Sequence, residues 1–276
     1  MRLRNNTQSI RPEQKMRRWM PEEVNDAVLR EEETKMPKIY GPKKSQPRRF
    51  ETRQRAVGGS PENYLIIALD GTLSAASIFL GMYKLILKLI KEIYDGTYRR
   101  GWEYCIALAI MQENGTRFIT FDNGGCFTKD FEEVKAALRG ISFEGGSLNG
   151  CEPLNECLYD VLCMVKDEIP KEANVGLLIL TDSMDEQGGP DFTGGNGSEL
   201  RTEDCPGFRY VYCFAYPGYY PRFKIVEKDP VTGSPSEAQV AYPAETLADQ
   251  EERERIASLM ARSIICQFSN KRGRLR

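Results

Sequence analysis

Residues 64–70 form an unbroken apolar run, Tyr-Leu-Ile-Ile-Ala-Leu-Asp, that ends on an acid. A run of that length with no polar alternation predicts a parallel strand buried on both faces. Behind it Ile78, Met82, Leu85, Ile86, Leu89 and Ile93 recur at helical spacing, with Lys84, Lys88 and Lys91 on the opposite face, which predicts an amphipathic helix. Residues 104–111 and 117–121 read as two further strands around Asn114-Gly115. Asn-Gly between two apolar runs is a hairpin signal, so these strands are expected to be antiparallel. A short helix is predicted over 130–138 with Phe131, Val134 and Leu138 inward. The glycine loop from Phe143 to Gly150 then leads into a helix whose apolar face is Leu154, Cys157, Leu158, Val161, Leu162 and Val165. Residues 175–181 form a second buried strand, ending at Asp182, and 209–216 a further one after a long Gly/Asp-rich loop. Residues 243–266 read as a closing helix with Leu247, Ile256, Leu259, Met260 and Ile264 facing inward. Alternating strands and helices of this kind predict a doubly wound α/β sheet, mostly parallel, with one antiparallel edge strand and helices on both faces.

Charge divides the chain differently. Residues 1–59 carry 15 Lys/Arg against 8 Asp/Glu, whereas the remaining residues carry 23 against 32. An arm of net +7 thus precedes a region of net −9, which the overall −2 conceals. The organisation expected is a basic, largely disordered arm (1–59) with a short helix near 22–33, an α/β domain (60–268) and a basic tail (269–276). Lys43-Lys44 and Arg48-Arg49 fit either a nuclear localisation signal or a nucleic-acid contact, and a solvated arm is the bland alternative. The start of the chain lacks an apolar signal segment, and the longest apolar stretch, 73–90, is interrupted by Lys84 and Lys88, so neither secretion nor a membrane span is expected.

The chain has no histidine, which excludes His-based triads and imidazole bases. Its eight cysteines contain no CxxC pair, so zinc spacing is missing and buried, reduced thiols are expected. Cys151, Cys157 and Cys163 are spaced by six, which turns each about 240° from the last on a helix, so they cannot share a ligand face.

Ligand sites of open α/β sheets lie beyond the carboxyl ends of the strands. Two buried strands end there in acids, in Asp70-Gly-Thr72-Leu-Ser74 and in Thr181-Asp182, and the glycine loop adds Ser147 and Asn149. Carboxylate and hydroxyl oxygens are the donors a hard divalent cation such as Mg²⁺ takes. In this order of elements the chain resembles the von Willebrand factor A (vWA) domain over residues 64–266. The resemblance implies a metal-ion-dependent adhesion site with Asp70, Thr72 and Ser74 in its DxSxS motif and Asp182 ending the fourth strand. The threonine that the family carries after its glycine pair has no clear counterpart; Ser147, Leu148 or Asn149 stands there according to register, so Ser147 is the candidate and the site is degenerate. Within that family, residues 65–72, 136–149 and 154–162 are most similar to the N-terminal domain of Mediator complex subunit 25. That likeness implies a non-catalytic module docking onto Mediator subunits or other RNA polymerase II transcription machinery in the nucleus.

Other readings remain open at this point. The runner-up is a general metal-dependent vWA module outside transcription, with the cytoplasm as the alternative location. Leu69-Asp70-Gly71-Thr72 also resembles the DxDGT signature of haloacid dehalogenase phosphotransferases, but Ala68 holds the nucleophile position and cannot form an aspartyl-phosphate; an inactive relative is the form this reading takes. Gly145-Gly146 before a helix could cradle a phosphate, yet no Walker lysine follows. Remnant carboxylates that brace loops are the plain alternative for Asp70 and Asp182. Tyr210, Tyr212, Tyr216, Tyr219 and Tyr220 read first as strand packing and second as a partner contact.

Overall fold

The computed structural model describes residues 63–98, 104–146, 152–171, 173–183, 191–192, 207–223, 225 and 239–269. The basic arm, Ser147, Asn149, Cys151 and the basic tail lie outside the described residues.

Strand β1 (Asn63–Asp70) is buried at every position, as an apolar run without alternation requires. It pairs in parallel with β2 (Tyr104–Gln112) on one side and β4 (Asn174–Leu180) on the other. Two further parallel strands, β6 (Tyr210–Ala215) and β8 (Gln239–Pro243), extend the sheet beyond β4. At the opposite edge β3 (Gly115–Phe118) runs antiparallel to β2, giving the order β3-β2-β1-β4-β6-β8. The mostly parallel sheet with one antiparallel edge strand is therefore present as expected.

The two faces of the sheet are covered by different helices. Leu65, Ile67 and Leu69 of β1 join a core with α1 (Phe79–Tyr98), α2 (Phe131–Arg139) and α4 (Gln250–Ser269). Ile66 and Ala68 face the other way, into a core with α3 (Leu154–Glu168). The period-two alternation of Cβ directions assigns odd residues of β1 to one helix layer and even residues to the other. Local signals set several boundaries. Asp130 caps α2 by accepting from the Glu132 amide at 2.8 Å, and Asp249 does the same for Glu252 at 2.8 Å ahead of α4.

Four expectations need correction. The hairpin loop is Glu113-Asn114, because Gly115 already pairs with Gln112 at φ 104°, and β3 is over by Phe118. The segment beyond it folds back, with the Phe121 amide bonded to the Gly125 carbonyl at 2.9 Å. The closing element expected over 243–266 is instead strand β8, a 3₁₀ turn at Ala244–Leu247 and then α4 from Gln250. Pro243 ends the strand, and Asp249 starts the helix. Leu259 on α4 is also exposed rather than inward. A small parallel pair, β5 (Asp191–Phe192) with β7 (Arg222–Phe223), falls in segments read as loop.

Candidate metal centre

Asp70 is the last residue of β1 and only 1% exposed. The chain turns immediately after it, and two backbone bonds fix the turn: Gly71 N–H donates to the Met111 carbonyl at the end of β2 (2.8 Å), and the Glu144 amide donates to the Gly71 carbonyl (3.0 Å). The Leu73 amide in turn donates to the Gly145 carbonyl at 3.3 Å, which lays the glycine loop against the Thr72–Ser74 turn. Gly145 and Gly146 adopt φ 72° and 117°, a left-handed backbone that side-chain-bearing residues rarely take.

Within this frame four side chains form a continuous chain of oxygens. Thr72 Oγ1 donates to Asp70 Oδ1 at 2.6 Å, Thr72 Oγ1 and Ser74 Oγ are 3.0 Å apart, and Ser74 Oγ donates to Asp182 Oδ1 at 3.1 Å. Asp70, Thr72, Ser74 and Asp182, the candidates named from sequence, are thus brought together across the ends of β1 and β4. Thr72 is buried, Ser74 is exposed, and the chain of oxygens runs from the interior to the surface. Asp182 also accepts from Ser183 Oγ at 3.3 Å.

Sequence reasoning missed Thr181, whose Oγ1 donates to Asp70 Oδ2 at 2.5 Å. The signal was available in principle. Leu69 pairs with Leu180, so the next residues along, Asp70 and Thr181, are lateral neighbours on the same face of the sheet. Asp70 therefore holds three donors, the Thr72 hydroxyl, the Thr72 amide at 2.9 Å and the Thr181 hydroxyl. Burial pushes its pKa above the ordinary aspartate value. The hydroxyls of Thr181 and Thr72 and the Thr72 amide pull it back, and the Asp182 charge adds to the upward push. A second missed residue is Glu152, buried just before α3, whose Oε1 lies 3.7 Å from where a Cβ on Gly146 would stand.

The hydrogen count of this cluster bears on what it can hold. Three oxygen–oxygen contacts link Asp70, Thr72, Ser74 and Asp182, whereas the two hydroxyls between them own two protons. With both carboxylates ionised, one contact brings lone pair against lone pair. A hard cation on the hydroxyl oxygens of Thr72 and Ser74 and on Asp182 would supply the missing positive charge, with Asp70 as the buried counter-charge behind Thr72. The donor set fits Mg²⁺ on that chemistry. Among the described residues no three acidic or thiol side chains stand close enough to share an ion, so the hydroxyls are indispensable to any such site.

The other sequence candidates do not join it. Cys157 is buried and Cys163 half-buried on α3, and the Cys157 thiol lies 3.6 Å from the Gln112 carbonyl. Tyr210, Tyr212 and Tyr219 are buried in the two cores, whereas Tyr216 stands 52% exposed just past the end of β6. Leu73, inside the candidate turn, is 53% exposed.

No family profile matches the sequence. No curated protein matches it significantly either. Among solved structures, the chain is similar to proximal thread matrix protein 1 from the mussel byssus (TM-score 0.43, 13% identity, 75% of this chain and 48% of that one). It is also similar to the pilus adhesin SpaC from Lactobacillus rhamnosus GG (0.45, 10%, 75% and 30%) and to the SpRpn10 VWA domain (0.40, 7%, 70% and 93%). The chain spans about half or less of the mussel and adhesin chains. This chain's own architecture, a mostly parallel sheet with an antiparallel edge strand and helices on both faces, is a doubly wound α/β fold.

Proposed function

We propose that this chain is a non-catalytic protein-interaction module whose recognition surface is the carboxyl edge of the sheet, organised by a divalent cation, Mg²⁺, at Asp70, Thr72, Ser74 and Asp182. The observation that carries the reading is the continuous chain of oxygens from buried Asp70 through Thr72 and Ser74 to Asp182, which opens to solvent at Ser74. Leu73 and Tyr216 expose apolar surface at the same edge, since β1 and β6 are parallel to β4 and end on that side. Ala68, where a phosphotransferase of the DxDGT type would carry its nucleophile, is fully buried in the core, which supports binding over catalysis. The finer reading, on the motif likeness to Mediator complex subunit 25, is docking onto Mediator or other transcription machinery in the nucleus.

Calorimetric titration of Mg²⁺ and Mn²⁺ into the full chain tests the cation. One saturable site is expected, lost in Ser74→Ala, a substitution at an exposed residue that leaves the core intact. A wild-type chain that melts cooperatively and binds neither ion would leave the carboxylates as loop braces and remove the cation from the reading. Co-purification of Mediator subunits with the tagged chain tests the docking. Recovery of partners from outside transcription would instead favour a general vWA-type module.

A further inference from the structure

Arg117 sits on the edge strand β3, across from Ile110 of β2. Ile110 belongs to the core face shared with α1 and α2, and directly paired residues project to the same face, so Arg117 points there too. The register also fixes its height. Asp70 pairs with Met111 and Met111 with Thr116, which places Arg117 one residue further along the third strand from the oxygen cluster.

Two of its guanidinium nitrogens, Nε and Nη2, are buried and have no hydrogen-bond partner among the described residues. Its neighbour Thr116 is already engaged on the other side, donating from its amide to Asp160 Oδ2 at 3.2 Å and from its hydroxyl to the Cys157 carbonyl at 2.9 Å. Buried donors without acceptors are rare because they forfeit hydration with nothing in return, and an ion that meets them is one of the standard explanations. The identity of the two nitrogens narrows the choice. Nε and Nη2 carry the two parallel N–H bonds on one edge of the guanidinium, the fork that matches two oxygens of one carboxylate or phosphate.

We propose that Arg117 grips a small oxyanion, the carboxylate or phosphate group of a ligand, side-on through Nε and Nη2 on the α1/α2 face of the sheet. Its neighbours must yield for the anion to enter, and a four-residue edge strand whose residues are all only half-buried is where local opening costs least. The site is independent of the cation cluster and uses none of its residues.

The test titrates inorganic phosphate and, separately, acetate into the full chain in a chloride buffer, following heat and melting temperature. Arg117→Lys keeps the charge and removes the fork; Arg117→Gln removes both. Saturable binding of one anion to wild type is expected, weakened about 10- to 100-fold in Arg117→Lys and absent in Arg117→Gln. Phosphate binding without acetate binding would assign a phosphate ligand, and the reverse a carboxylate. A wild-type chain that binds neither anion, or a folded Arg117→Lys that binds as well as wild type, would overturn the proposal.

Discussion

Gly176 on β4 pairs directly with Tyr210 on β6, and a Cβ built on the glycine would stand 1.8 Å from the tyrosine Cζ. The ring takes the space a side chain at 176 would fill, and Tyr210 is fully buried there. Gly176→Ala is therefore expected to destabilise the domain by about 1–3 kcal/mol, the usual cost of overpacking, measured as a fall in urea midpoint. The thiols make a second residue-scale case. Burial pushes Cys213 up to about 12 and Cys157 and Cys126 up to about 11, from an ordinary 9.0. The native chain thus keeps protons that the unfolded chain releases above pH 9, so stability falls as pH rises from about 9 toward 12. Cys213→Ala should flatten part of that fall, by up to about 1.4 kcal/mol per pH unit in that window; equal slopes in both proteins would show that other groups drive it. Iodoacetamide at pH 8 should leave Cys213 unlabelled until the protein unfolds.

Among the elements, α4 illustrates how capping and packing share the work. Its start is set by Asp249, which accepts from the Glu252 amide, and its position by Arg253, whose Nη1 donates to the Leu247 carbonyl at 2.6 Å. Ser258 on α4 reaches Glu92 on α1 at 2.7 Å, tying the two long helices across their shared core. Asp249→Ala is expected to cost about 1 kcal/mol through loss of the cap, read by chemical denaturation, with Asp249→Asn close to wild type. The edge strand β3 shows a different economy. Its outward Thr116 amide is capped by Asp160 from α3, so one of the groups that another chain's strand would need is already taken.

At the scale of the molecule, the parallel sheet brings the ends of β1, β4 and β6 to one edge, and the proposed function depends on that convergence. If the cation is held as proposed, it binds the native state alone and stabilises it by mass action, about 2.7 kcal/mol at a hundredfold excess over its dissociation constant. Mg²⁺ should then raise the melting temperature of the wild-type chain and leave that of Ser74→Ala unchanged. If the chain acts in the nucleus as proposed, a fluorescent fusion of the full chain is expected there and deletion of residues 1–59 is expected to release it; retention of the deleted form would take the localisation role away from the basic arm.

The strands that are apolar throughout, β1, β2 and β4, and the amphipathic helices were legible from residue pattern because burial on two faces or on one stripe leaves a direct compositional trace. Asp70 and Asp182 stood out in the sequence as acids ending such strands, and Thr72 and Ser74 through the DxSxS-like spacing; the structure brings the four side chains together. β8 was not, since Gln239–Pro243 is short, closes on a proline and becomes a strand only by pairing with β6. Thr181 was hidden because its partner is fixed by the register between β1 and β4 rather than by its own neighbours. Arg117 looked like an ordinary edge-strand residue, and only the packing around it strips two of its nitrogens of partners. Local sequence dictates which segments want to be buried; register and packing, which join residues more than a hundred positions apart, decide which polar atoms then meet.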